Sequence, residues 1–367
     1  MDRVVMGVFN EIDHDGRVER CADAVAAMGF DVLVYALDSG KPYHPAAWRA
    51  VRRRLPALGP LRPFVFWLGF VAFVLRTRPR LVHAHDYFLA FPGWLAARLV
   101  GARVIYDAHE LILPGDHPQR FSERVFYRFE RFVAARADGV IAANRKRAEL
   151  MAAHYGLDRI PAVVRNIPIP EPGMSEPDTL ARFPQLARSP GLFRFVYSGF
   201  LAPSYGLDGH ARAIAALDGN YQFVLVGDGP ARPVLADLAA RARPGAILLL
   251  DRVPRRDLSG VLRLADAGVI AYGTVSPNEI HCSPNKVYEY AQAGLPCLAN
   301  DNPGLAAILE EGGVGVWAAT PEEGVRRMLA EYDRCKAALP AFLAANSWAG
   351  EATVVADLYT RVLPILN

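Results

Sequence analysis

Ser283-Pro284-Asn285-Lys286-Val287-Tyr288-Glu289-Tyr290-Ala291-Gln292-Ala293-Gly294-Leu295-Pro296 is the stretch around which this 367-residue chain is organised. Ser283 suits a helix N-cap, Pro284 the first helical position, Gly294 a left-handed close and Pro296 a stop, so the spacing predicts a short helix with a sharp start. Lys286 then falls in the first turn, among backbone N–H groups that have no intrahelical partner. A cation there weakens the helix unless an anion lies nearby. Glu289, three positions on and on the same face, either pairs with Lys286 or accepts hydrogen bonds from ligand hydroxyls. A phosphate at the helix end beside a hydroxyl-rich group describes a nucleotide sugar. A capped surface helix with a Lys–Glu pair is the plainer alternative.

The chain is long enough for two domains, each with its own core. Charged residues are 22% of the total and the net charge is +3, so nothing demands a nucleic-acid partner. Cys21, Cys282, Cys297 and Cys335 show neither metal-ligand spacing nor disulfide density, which fits a reducing cytoplasm. Met1 to Phe9 lacks the basic start, long apolar core and cleavage site of an export signal and is expected to be a first strand.

The loop after that strand carries Asp13-His14-Asp15, and Val18 to Met28 has helical spacing, the opening of a parallel α/β unit. Asp13 and Asp15 resemble a metal-binding Asp-x-Asp, but at this position they more simply order the loop or meet a substrate. Residues 49–80 are basic at both ends around the apolar run Phe64 to Leu75, which is too short to span a bilayer. The run is either a buried crossover helix, the favoured reading, or a peripheral membrane contact. His83 and His85 share one face of the next strand. They are either metal ligands or polar strand-end residues turned into a cleft.

Asp107-Ala108-His109-Glu110 is read as the turn at the carboxyl end of a strand, the ligand-binding end of an open parallel sheet. Leu113 to Pro118 reads as a mobile segment, and Ser122 to Arg136 as an amphipathic helix with a solvated charged face. The proline-rich run from Pro168 to Pro190 reads as the interdomain connection. Strand–helix alternation restarts at Phe193, with Gly199 and Gly227 letting a ligand approach the backbone at two strand ends. The predicted architecture is α/β: two Rossmann-like lobes facing across a cleft. The lobes take residues 1–168 and 191–348, joined by 169–190, with a C-terminal helix in 349–367 packing back on the first.

From end to end the chain resembles the retaining glycosyltransferases of family 4, with the GT-B fold. The resemblance rests on Gly16-Arg17-Val18, Tyr106 to Glu110, Val164-Arg165-Asn166-Ile167-Pro168, Gly227-Asp228-Gly229, Ser283 to Pro296 and Ser347-Trp348, in that order and spacing. It implies transfer of a sugar from a nucleotide diphosphate to an acceptor, with retention at the anomeric carbon, no obligatory metal and no cofactor beyond the co-substrate.

It also implies that Glu289 holds the ribose and that Ser283, Pro284, Asn285 and Lys286 contact the donor near the diphosphate, with His281 and Cys282 as further expected donor contacts. Gly199 and Phe200 join them, with Gly227, Asp228, Arg252 and Val253 flanking the base. His109 contacts the donor sugar near the reacting centre. Asp13, Asp15, His85 and Glu110 are the expected acceptor contacts. His109, Lys286 and Glu289 are the expected catalytic set.

Two departures from the family pattern stand out. His281 stands where many members have a sugar-binding glutamate, and Phe200 and Tyr205 lie where many have a diphosphate-gripping arginine and lysine. A catalytically inactive homologue that binds a ligand or partner is therefore the alternative reading. A metal hydrolase built on His83, His85 and Asp86 is a further one.

Overall fold

Alternate residues of an extended chain face opposite sides, so Val4, Met6 and Val8 feed one core and Val5 another, with a helix layer required on each face. The computed structural model describes residues 1–56, 59–113 and 121–363 and divides into two units, Met1–Asn166 with Trp348–Asn367, and Ile167–Ser347.

The first unit runs β1 (Arg3–Glu11), α1 (Gly16–Ala27), β2 (Asp31–Leu37), β3 (Arg49–Arg53), α2 (Arg62–Thr77), β4 (Leu81–His85), α3 (Asp86–Val100), β5 (Arg103–Ala108), α4 (Phe121–Ala134), β6 (Gly139–Ala142), α5 (Arg145–Tyr155) and β7 (Ala162–Val163). The seven strands are parallel, in the order β3-β2-β1-β4-β5-β6-β7. The order reverses between β1 and β4, and that switch opens a crevice at the carboxyl ends of the strands.

Helix α2 buries Phe66, Phe70 and Val74 against the sheet and leaves its opposite face open, so burial holds for one side only. β3, not anticipated within the basic stretch, forms the edge of the sheet. The charged face expected on α4 is broken by Glu130, which is fully buried and accepts hydrogen bonds from Tyr106 and Tyr155, each at 2.6 Å. The segment read as mobile lies largely outside the described residues.

The second unit continues with α6 (Glu176–Arg182), β8 (Phe193–Ser198), α7 (Leu207–Ala215), β9 (Tyr221–Val226), α8 (Arg232–Arg241), β10 (Ile247–Leu250), α9 (Arg255–Arg263), β11 (Ala267–Ile270), α10 (Pro277–Ile280), α11 (Asn285–Gln292), β12 (Cys297–Asn300), α12 (Pro303–Gly312), β13 (Gly315–Ala318) and α13 (Pro321–Ala345). Its six parallel strands are ordered β10-β9-β8-β11-β12-β13, with the switch at β8.

The proline-rich run is not a free connection. It carries α6, capped by the Ser175 side chain, pairs Arg182 with Asp257 at 2.8 Å and buries Leu186 in this unit's core. The C-terminal helix Trp348–Val362 belongs to the first unit. There Val355 and Tyr359 share a core with Val18 and Cys21, and Glu351 pairs with Arg165 at 2.6 Å.

Candidate functional site

In the first unit a polar cluster is built on β4, β5 and α1. His83 and His85 lie on one face of β4, their rings stacked at 4.1 Å, and the His83 Nδ1 lies 2.9 Å from the Tyr359 hydroxyl. Asp107 is the fifth residue of β5 rather than part of a turn, and it is fully buried. Arg17 donates to both its oxygens, at 2.9 and 2.6 Å, and a third time to the Val164 carbonyl at 2.7 Å. His85 Nδ1 lies 3.2 Å from Asp107 Oδ2 and 3.2 Å from His109 Nε2.

Burial by itself would push the Asp107 carboxyl up, but Arg17 and His109 more than offset it and hold the group well below the ordinary range. Burial likewise pulls His109 down, yet the facing Asp107 carboxylate leaves its value raised. His83 and His85 are both lowered, chiefly by burial, the opposite direction from His109.

His85 was expected to touch the acceptor. It is 0% exposed, and its neighbours are Asp107 and His109, so any influence on a ligand passes through His109. His109 keeps an open edge and Glu110 is exposed. Asp13 sits on a 3-10 turn, Ile12–His14, beyond β1, whereas Asp15 caps α1 by accepting from the Val18 N–H and from the Asn10 amide at 3.2 Å.

Asp86, named from the sequence only in the metal-hydrolase alternative, is absent from the expected donor and acceptor contacts. It starts α3 at a left-handed φ of 65°, and burial, tempered by His109, pushes its carboxyl up to about 6. A non-glycine residue held there at the mouth of a sheet marks stored strain, a feature that no sequence pattern signals.

The ligand atoms of His83, His85 and Asp107 lie within 4.8 Å of one another. The Arg17 guanidinium already occupies both Asp107 oxygens, and its positive charge opposes a cation, so the trio acts as a buried ion-pair network.

In the second unit the donor-site candidates gather at the carboxyl ends of β8 and β9 and at the start of α11. The helix begins at Asn285 with Pro284 as its cap and no side-chain cap bond, so Ser283 is not the N-cap. Proline's fixed φ sets the entry instead. The far end closes as expected. Gly294 takes φ 79°, its N–H bonds to Ala291 and the Leu295 N–H bonds to Tyr290, satisfying two terminal carbonyls.

Lys286 is half-buried, its Nζ 5.8 Å from the centre of the Tyr197 ring and close against Gly199. Among the described residues no carboxylate lies within ion-pair distance of it. Burial lowers its value, and Glu289 offsets this only in part. The predicted Lys286–Glu289 pair is therefore not formed. Glu289 instead lines a pocket of about 70 Å³ with Pro168, Leu258, Leu262 and Gln292.

Gly227 adopts φ 145°, and a Cβ there would overlap the Gly199 carbonyl oxygen, so these two strand ends approach closely only through glycine. Arg232, not singled out from the sequence, donates to the Gly227 carbonyl at 2.7 Å and pairs with Asp251 at 2.7 Å, buttressing that turn.

Phe200, Asp228 and Arg252 are exposed at the same end, Val253 is half-buried, and Tyr205 packs on Tyr272 at 5.7 Å. His281 and Asn285 are half-buried. Cys282, expected among the donor contacts, points into the core with Sγ 3.6 Å from Asn302 Oδ1, which leaves only its backbone for a ligand.

A glycosyl transferase 4-like domain model matches residues 16–167, and a glycosyl transferases group 1 model matches residues 193–333. Alpha-D-kanosaminyltransferase of Streptomyces kanamyceticus is 28% identical over 295 residues, 71% of this chain and 72% of that protein. D-inositol 3-phosphate glycosyltransferase of Rhodococcus jostii (strain RHA1) is 26% identical over 278 residues, 68% of this chain and 58% of that protein. Among solved structures, sucrose-phosphate synthase from Thermosynechococcus elongatus superposes with a TM-score of 0.74 at 17% identity, covering 98% of this chain and 99% of that one. Anabaena HepE in complex with UDP-glucose superposes at 0.72 and 17%, covering 98% and 100%. At these identities the structural likeness speaks for the fold.

Proposed function

Because the chain belongs to the GT-B glycosyltransferases, with a glycosyl transferase 4-like domain followed by a group 1 domain, we propose that it moves a sugar from a UDP- or GDP-linked donor to a hydroxyl of a small-molecule, polysaccharide or lipid-linked acceptor, with retention and without a metal. The observation that carries this reading is Lys286, a half-buried ammonium without a carboxylate partner among the described residues, beside the two glycine turns that admit a ligand to the backbone. Desolvating an ammonium is costly unless an anion accompanies it, and a leaving diphosphate is that anion.

In this proposal Lys286 and the first amides of α11 take the charge that develops on the diphosphate, and Glu289 accepts from the ribose hydroxyls. His109, whose value the Asp107 carboxylate raises, donates to the transferred sugar, while Asp13, Asp86 and Glu110 receive the acceptor. The donor phosphate takes the acceptor proton, so no protein base is required. HepE, solved with UDP-glucose bound, supports a nucleotide-sugar donor, and the kanosaminyltransferase supports glycosyl transfer.

Titration calorimetry with UDP and GDP tests the reading. Lys286→Ala should weaken the preferred nucleotide roughly 10- to 100-fold, the worth of a charge-assisted contact, while leaving the melting temperature near that of the parent. Equal affinity in parent and variant would remove the proposal. His281 and Phe200, at positions where the resemblance implies sugar and diphosphate contacts, favour the inactive-homologue reading. Release of free sugar from UDP- or GDP-sugars would exclude that reading, and NMR of the product's anomeric proton would decide retention.

A further inference from the structure

We propose that the outer face of α2 is a docking surface for an anionic lipid bilayer. At 100° per residue, Phe64, Leu68, Ala72 and Leu75 fall on one stripe, flanked by Leu61 and Val65, opposite the buried stripe of Phe66, Phe70 and Val74. Leu68 is 73% exposed, Phe64 54% and Leu61, just before the helix, 60%, whereas Phe66, Phe70 and Val74 on the other side are fully buried. Arg62 and Arg76 border this stripe along one edge, one at each end of the helix, and both are exposed. The sheet side anchors the helix rigidly, since a Cβ at Gly7 would lie 2.6 Å from the Phe70 ring. The apolar stripe is therefore presented outward on a fixed support.

Charge identifies the occupant. Between Asp38 and Asp86 the sequence contains no aspartate or glutamate, while it contains Lys41 and the arginines 49, 52, 53, 54, 62, 76, 78 and 80. Arg49, Arg52 and Arg80 are paired with Asp31, Asp38 and Asp2, and Arg53 lies over Tyr35. Among the described residues Arg54, Arg62, Arg76 and Arg78 have no carboxylate partner, and all four are exposed. An apolar stripe with unpaired arginines at both ends matches a headgroup–acyl boundary, where leucine and phenylalanine enter the acyl region and guanidinium groups meet lipid phosphates. A protein partner or a second copy would have to supply a matching acidic rim, and this chain's own 39–85 stretch has none. No helix of the described residues is long and apolar enough to cross a membrane, so the contact is peripheral.

The test is flotation of the full-length protein with phosphatidylcholine vesicles and with vesicles in which roughly a third of the lipid is phosphatidylserine. The protein should float with the anionic vesicles and be released as salt rises. Arg62→Gln and Arg76→Gln should each weaken binding about fivefold. Leu68→Asp, at a site too exposed to disturb the core, should abolish flotation while leaving the melting temperature unchanged. Equal binding to neutral vesicles, or unaltered binding by Leu68→Asp, would overturn the proposal. So would failure to bind any vesicle, and a Leu68-dependent dimer in sedimentation without flotation would identify a second copy as the occupant instead.

Discussion

Changing Asp107 to Asn keeps the shape of the buried cluster and removes its negative charge. Arg17 is 4% exposed and Asp107 0%, so the guanidinium would keep its hydrogen bond to Val164 and one to the Asn oxygen, but its charge would have no counter-ion. Leaving one member of a buried pair unmatched costs about 3–5 kcal/mol. The retained oxygen argues for about 3 kcal/mol, which for a unit of this size lowers the melting temperature by roughly 6–12 °C. Because the native carboxyl is held well below its ordinary value, its stabilisation is fully present above the unfolded value of 3.8 and is lost as pH falls through the native one. The deficit of the variant should accordingly be complete at neutral pH and shrink only in acid.

Calorimetric melts of the parent, Asp107→Asn, Arg17→Met and the double variant measure the coupling, and the double variant should recover part of the loss because no buried charge remains. A single variant melting within about 2 °C of the parent, or purely additive losses, would refute the reasoning.

Tyr359→Phe removes the hydroxyl 2.9 Å from His83 Nδ1 and should cost about 1–3 kcal/mol in urea unfolding, because the buried ring nitrogen loses its partner. His83 and His85 are held below 6.5, so the unfolded chain takes up protons that the native state refuses. Their contribution to stability should fall as pH drops below about 6.5, a slope that a pH series of melts would show. Asp86→Gly relieves a left-handed φ and should raise stability by about 1 kcal/mol while lowering transfer activity. If both rise together, the carboxyl has no part in the site. Gly227→Ala, which forces a Cβ into the Gly199 carbonyl at φ 145°, should cost about 2 kcal/mol or more and abolish nucleotide affinity by calorimetry.

How much was legible follows from the range over which each signal acts. The two rounds of strand–helix alternation, the glycine turns at 199 and 227, and the helix closing at Gly294 are local patterns, and the structure contains all of them. The cap failed at the other end because Pro284, whose fixed φ sets the entry, takes the cap position in place of Ser283, a good capping residue by type. The proline-rich run suggested a tether because proline punctuates. Yet Leu186 and α6 found apolar partners in the second unit, and burial outweighed composition.

Strand–helix alternation, the placing of Lys286 in a first helical turn and the acid-free basic stretch around α2 were set by the sequence alone, because they depend on spacing within one or two dozen residues. The tertiary structure decided which distant groups meet. Arg17 reaches Asp107 across 90 positions, Tyr359 reaches His83 across 276, and His85 and Cys282 turn inward, away from any ligand. Those outcomes depend on parallel strand register and on the seating of the C-terminal helix, which local periodicity does not encode.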